Sequence, residues 1–104
     1  MPSPNRGEVW LADLGLAGKV RPCLALSIPA GPQDRSLATL VAHTTSPRGS
    51  QFEVGVRARF LKQGVFDAQN MVTVPHSKLI RKLGDLPPDQ FALVEAGIRK
   101  WLGL

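Results

Sequence analysis

Arg21 is the residue of this chain best placed by its neighbours to do chemistry. It lies in Lys19-Val20-Arg21-Pro22-Cys23-Leu24-Ala25-Leu26-Ser27, a short loop beyond the earlier run Arg6-Gly7-Glu8-Val9-Trp10. A residue that precedes proline is biased toward extended backbone. At the mouth of an apolar strand, that bias holds the side chain in a fixed direction, and a fixed guanidinium makes a good phosphate clamp. The competing role is an ion pair with Glu8 or Asp13, and the local residues taken alone favour it.

Histidine is the usual acid–base group near neutral pH, so His43 is the next candidate. Alternation along an extended strand puts Leu37, Thr39, Val41 and His43 on one face and Ala38, Leu40, Ala42 and Thr44 on the other. His43 and Thr44 therefore diverge, and a lone strand-end histidine reads as structural. His76, beside Pro75, reads as a turn residue. The single cysteine, Cys23, falls in an apolar run and reads as core. There is no His-x-x-His, Cys-x-x-Cys or Asp-x-Asp spacing for a metal and no Gly-x-x-x-x-Gly-Lys loop for a nucleotide, so no cofactor is expected.

These residues need elements to hold them. Glu8 to Leu14 alternates and reads as a strand; Gly15 to Gly18 reads as a turn; Val20 to Ile28, almost continuously apolar, reads as a strand buried on both faces. Breakers at 29–34 precede a third strand over Ser36 to Thr44. The loop Ser46-Pro47-Arg48-Gly49-Ser50 leads to a fourth over Phe52 to Val56. Phe66 to Val74 alternates again, His76 to Lys78 fits one helical turn, and Leu79 to Leu83 fits a short strand. From Pro88, the residues Phe91, Val94, Ile98, Trp101 and Leu102 recur at helical spacing, with Asp89 in the first turn and Arg99 and Lys100 in the last. The expected fold is mainly β with one helix: a small, strongly curved antiparallel sheet or partial barrel closed by a C-terminal helix.

At 104 residues the chain is expected to form one domain, 1–104. No apolar stretch approaches the ~20 residues of a membrane span, and Met1-Pro2-Ser3-Pro4-Asn5 lacks the features of a signal peptide. A cytoplasmic location is the expectation, with no membrane partner. The net charge of +5 is uneven, with five Lys/Arg against four Asp/Glu in residues 1–56 and eight against four in 57–104. An excess of this kind attracts polyanions, but it also keeps small proteins soluble. Charge alone does not choose.

Several stretches together resemble one family. Arg6-Gly7-Glu8-Val9-Trp10, Val20-Arg21-Pro22, Thr44-Thr45 leading to Phe52-Glu53-Val54, Asp67-Ala68-Gln69-Asn70, Leu83-Gly84-Asp85-Leu86 and the terminal Leu102-Gly103-Leu104 look like the MazF/PemK toxins of type II toxin–antitoxin systems. The likeness runs in order over nearly the whole chain. It implies a single toxin domain of SH3-like, CcdB–PemK type and a homodimer. It also implies metal-independent, sequence-preferring cleavage of single-stranded RNA to 2′,3′-cyclic phosphate and 5′-hydroxyl ends, and silencing by an acidic antitoxin resembling MazE or PemI. It implies further that Arg21 and Thr44 are the catalytic pair. The loop Gly15-Leu16-Ala17-Gly18-Lys19 is shorter than in many relatives and lacks their acid.

Such cleavage requires a deprotonated 2′-hydroxyl, stabilised charge at phosphorus and a proton for the 5′-oxygen. Arg21 suits the second need, because guanidinium stays protonated far above neutral pH, although the resemblance suggests that it also takes part in proton transfer. Thr44 can donate to a non-bridging oxygen. Arg48 and Thr45 are expected to hold the RNA, and Gln69 and Asn70 to read base edges, with a hydrogen-bonded strand end as the alternative for the last two. Arg57, Arg59 and Lys62 either track a phosphate backbone or form a solvated rim. With no tyrosine present, stacking falls to Trp10, Phe52, Phe66, His43 or arginine, and Trp10 and Phe52 read first as core. Two rivals stay open. One is a same-fold toxin that traps gyrase through its C-terminus, against which the core spacing of Trp101 counts. The other is a non-catalytic SH3-like binding module.

Overall fold

A three-residue connection sets the shape of this molecule. The computed structural model describes residues 3–15 and 19–104; the expected turn at 15–18 lies mostly outside them. Six strands run β1 Glu8–Asp13, β2 Val20–Ala25, β3 Leu37–Thr44, β4 Glu53–Gly55, β5 Val65–Pro75 and β6 Leu79–Asp85, followed by helix α1 over Pro88–Leu102. All pair antiparallel in one sheet of order β4-β5-β3-β2-β1-β6. Yet β5 and β6, separated in that order by three strands, are joined only by the 3₁₀ turn His76–Lys78. Four interstrand spacings of roughly 4.8 Å would span about 19 Å in a flat sheet. The link from Pro75 to Leu79 reaches about 14 Å at full stretch. The sheet must therefore curl until its far strands approach, giving an open partial barrel, as expected.

Curling creates two cores. On one face, α1 lays Val94 and Ile98 against Val9, Leu24, Val41 and Phe66. The other face is buried without the helix: Ala12, Cys23, Ala25, Ala38 and Ala42 pack with Trp10, Leu40 and Leu79. So many small side chains let a sheet fold tightly over itself. The double burial of β2 explains its lack of alternation, since Cys23, Leu24 and Ala25 are all fully buried. Burial also pushes the Cys23 thiol up to about 12, which makes it a core residue and a poor nucleophile.

The strand limits differ from expectation mainly in β2, which ends at Ala25 rather than Ile28. Beyond it the Leu26 N–H still reaches Thr39 O, but the Thr39 N–H turns to Ser27 Oγ, so the ladder stops. Trp101, whose helical spacing reads as core or dimer-facing, is 43% exposed in the single chain, its ring tilted against Phe52 with centroids 5.1 Å apart. His76 is buried, with Nε2 3.2 Å from Leu37 O, tying the turn to β3.

The Arg6–Trp10 motif proves to be a structural lock. Arg6 donates to Leu26 O and to Glu95 of α1, and its guanidinium lies 4.8 Å from the Phe91 centroid. Glu8 is nearly buried. Its carboxylate accepts from Asn5 N at 2.8 Å, Trp10 Nε1 at 3.0 Å and Asn5 Nδ2 at 3.2 Å, and lies 3.0 Å from Lys82 Nζ. Burial alone would raise its pKa, but the donors together outweigh that and hold the carboxyl at about 2, against an ordinary 4.5.

Because the folded value lies below the unfolded one, this lock contributes in full above about pH 4.5 and is lost as pH falls through about 2. We expect Glu8→Gln to lower stability by about 1–3 kcal/mol at neutral pH. Urea titrations across pH 2–7 will show a shallower acid loss than in the wild type.

Candidate active site

An irregularity between β3 and β5 builds the site. β3 advances two residues from Val41 to His43, while the paired positions on β5 run five, from Met71 to Phe66. The surplus on β5 is a bulge, which bends a strand and re-aims its side chains. It breaks the alternation expected there. Phe66 and Ala68 are buried, but Gln69 and Asn70 are both exposed.

Beside the bulge lies a cavity of ≈ 190 Å³ lined by Arg21, Thr44, Ser46, Arg48, Asn70, and the carboxylates of Glu53 and Asp67. The structure thus gathers four of the six residues expected from sequence. Arg21 comes from β2, where it pairs with Ala12; Thr44 ends β3; Asn70 lies in the bulge. Thr45 and Gln69 are exposed and do not line the cavity. Glu8 is engaged by Lys82, and Asp13 Oδ1 takes the Gly15 N–H at 2.9 Å.

Thr44 is oriented by its own loop. Its Oγ1 accepts the Ser46 N–H at 3.0 Å, which leaves the hydroxyl proton for donation elsewhere. The chain at Thr44 is also pressed from outside by Gly64, where a Cβ would stand 2.2 Å from Thr44 O and 2.8 Å from His43 Cε1. Only glycine fits there.

Glu53 was missed by the sequence reading and organises the arginine loop. Oε2 accepts the Arg48 N–H at 2.8 Å, and Oε1 accepts the Gly49 and Ser50 N–H groups at 2.7 and 2.8 Å. The Arg48 N–H bond, reinforced by those from Ser50 and Gly49 and by the Arg48 charge, holds this carboxyl below its usual range. The signal was present as a small-residue turn, Gly49-Ser50, with an acid three residues on. Asp67, opposite Glu53 in register, accepts the Gln69 N–H at 3.0 Å and so braces the bulge.

His43 points away from this cavity, as the alternation required. It is 3% exposed, edge-on to Phe66 at 5.1 Å, and its Nε2 has no hydrogen-bond partner among the described residues. Burial lowers its pKa, so the ring is neutral and part of the core. Among the described residues, no three of His, Cys, Asp and Glu converge as a metal centre would need. The cavity offers two guanidinium groups, two hydroxyls and an amide around a space open to solvent, a set suited to a phosphodiester.

Comparison with known proteins points the same way. The model of the PemK-like, MazF-like toxins of type II toxin–antitoxin systems matches residues 5–102. No protein of curated function matches. Among solved structures, an endoribonuclease from a mycobacterial species in complex with its cognate antitoxin superposes with TM-score 0.83 at 26% identity, covering 98% of this chain and 97% of that one. MazF from Deinococcus radiodurans gives 0.80 at 28% identity, covering 100% of both chains. The Mycobacterium tuberculosis toxin MazF-mt6 gives 0.78 at 29% identity, covering 93% and 97% respectively.

The loop geometry is testable directly. Glu53→Gln removes a charged acceptor from three amides, and such bonds are worth about 1.5–3 kcal/mol. Hydrogen exchange at Arg48, Gly49 and Ser50 should accelerate about tenfold or more, with protection in β2 and β3 unchanged.

Proposed function

Starting from the premise that this chain belongs to the PemK-like, MazF-like toxins of type II toxin–antitoxin systems, we propose that it is an endoribonuclease acting on single-stranded RNA. The observation that carries this reading is the convergence of Arg21, Thr44 and Arg48 on one solvent-facing cavity. The similar solved structures described as endoribonucleases support it.

The reaction forms a bond from the 2′-oxygen to phosphorus as the bond to the 5′-oxygen breaks. It leaves a 2′,3′-cyclic phosphate and a 5′-hydroxyl, with the proton lost by one oxygen gained by the other. Negative charge builds on the non-bridging oxygens. Arg21, entering from a rigid buried strand, meets that charge with a preorganised donor pair. Thr44 adds a hydrogen bond with the proton that its Ser46 contact leaves available. Arg48 holds the strand from the loop clamped by Glu53, and Asn70 bonds a base edge, which gives the cut its sequence preference. No metal takes part.

We assign a cytoplasmic location, a homodimeric state and an acidic antitoxin as the silencing partner. Solved complexes of similar toxins with their antitoxins support the last assignment. The gyrase-trapping rival loses its strongest objection because Trp101 is exposed rather than core. It still leaves the phosphodiester-shaped cavity without a use, and a supercoiling assay separates the two readings.

Arg21→Ala is expected to reduce cleavage on the order of 100-fold or more, and Thr44→Ala by about 10-fold or more, both with unchanged thermal melts. The check is 5′-end mapping on a long defined RNA in the presence of chelator. Wild-type rates from Arg21→Ala, or cleavage abolished by chelator, would refute the mechanism.

A further inference from the structure

A second, larger cavity has no role in the reaction as described. It is a groove of ≈ 900 Å³ between the segment 55–64 and α1, with Arg57, Arg59 and Lys62 on its walls and Val56, Leu61 and Leu93 contributing apolar surface. All three cations are exposed, none makes an ion pair among the described residues, and no acid lines the groove. An uncompensated basic trough of this kind is the electrostatic footprint of a polyanion site.

Its walls are rigid. The Arg57 N–H is donated to Gln90 Oε1 at 2.8 Å, which fixes the loop to α1. The Leu61 N–H reaches Ala58 O at 3.1 Å and closes a turn around Arg59. Between them, Phe60 lies so close to Gly84 of β6 that a Cβ there would stand 2.5 Å from the ring. A loop pinned at three points keeps the backbone of its three cations in place, so a ligand has only their side chains left to order.

The groove also adjoins the candidate active site. Gly64 lines it, and the same residue presses against the carbonyl of Thr44, which lines the smaller cavity. Glu53 and Gly55, at the two ends of β4, belong one to each cavity. From this continuity we propose that the groove is an extended RNA subsite. It binds phosphates of the strand flanking the cleaved bond through Arg57, Arg59 and Lys62, a role that rests on the endoribonuclease reading. An acidic peptide has the same charge, but continuity with a phosphodiester-sized cavity favours the nucleic acid.

The test compares the wild type with Arg57→Ala/Arg59→Ala/Lys62→Ala, three exposed positions whose side chains make no ion pair among the described residues. Each phosphate contact on a single strand contributes about 0.7 to the slope of log affinity against log salt. The triple variant is therefore expected to lose about 2 from that slope, read by fluorescence anisotropy on a long non-cleavable 2′-deoxy oligonucleotide. Its KM on long RNA should rise about tenfold or more, with kcat kept and cleavage of a very short substrate unchanged. An unchanged slope and KM overturn the proposal. So does a variant that binds RNA normally but loses an oligoglutamate peptide, since that result gives the groove to an acidic protein segment. The anisotropy arm needs no turnover. If the wild type cuts no RNA, the endoribonuclease reading fails there, while the groove is judged by binding.

Discussion

The short tie between β5 and β6 is the constraint on which the rest of this structure depends. Three residues cannot bridge the width of a flat five-strand span, so the sheet has to curl. Curling in turn favours small side chains where the sheet folds over itself, which Ala12, Ala25, Ala38, Ala42 and Cys23 supply. The other cluster is covered by one helix through Val94 and Ile98. The buried His76, bonded to Leu37 O, secures the tie to the middle of the sheet. Replacing any of those alanines by a large residue would oppose the curl before it disturbed any site.

The smaller cavity is a by-product of that curvature. A sheet bent this far cannot keep both of its longest strands in register, and β5 absorbs the mismatch beside His43. The bulge sends Asn70 toward the place where β3 ends and Arg21 enters on β2, while the cross-strand pair Glu53 and Asp67 closes the floor. Neither carboxylate is idle. One anchors the arginine loop by three amide bonds and the other braces the bulge. The acids beside the two guanidinium groups therefore hold the backbone frame around them.

Much of this was legible in the residues. Pro88, Asp89 and the helical spacing of Val94 and Ile98 fixed α1 closely, and the unbroken apolar run of β2 announced burial on both faces. Arg21 and Thr44 were singled out by the family resemblance, and the structure brings both to one cavity. Other features were hidden for physical reasons. A bulge is a property of two paired strands, so nothing local to Asp67–Asn70 reveals it; alternation simply continued on paper. Thr45 and Gln69 are each adjacent in sequence to a cavity residue but are exposed and do not line the cavity. Trp101 fits a core spacing, but it lies in the last turn of α1, half exposed with its ring against Phe52.

Charge is divided unequally between the two cavities, and that division separates their tasks. In the small one, Arg21 and Arg48 face Glu53 and Asp67, so the formal charges cancel and the field there is directional rather than large. A nearly neutral site attracts a distant polyanion weakly but can stabilise charge that develops at one point. In the groove, three cations face no acid, so the field is strong, long-ranged and sensitive to salt. On the proposed reading, capture and chemistry answer to different residues. Salt should weaken the first far more than the second, because short-range hydrogen bonds at phosphorus lie well inside the screening length.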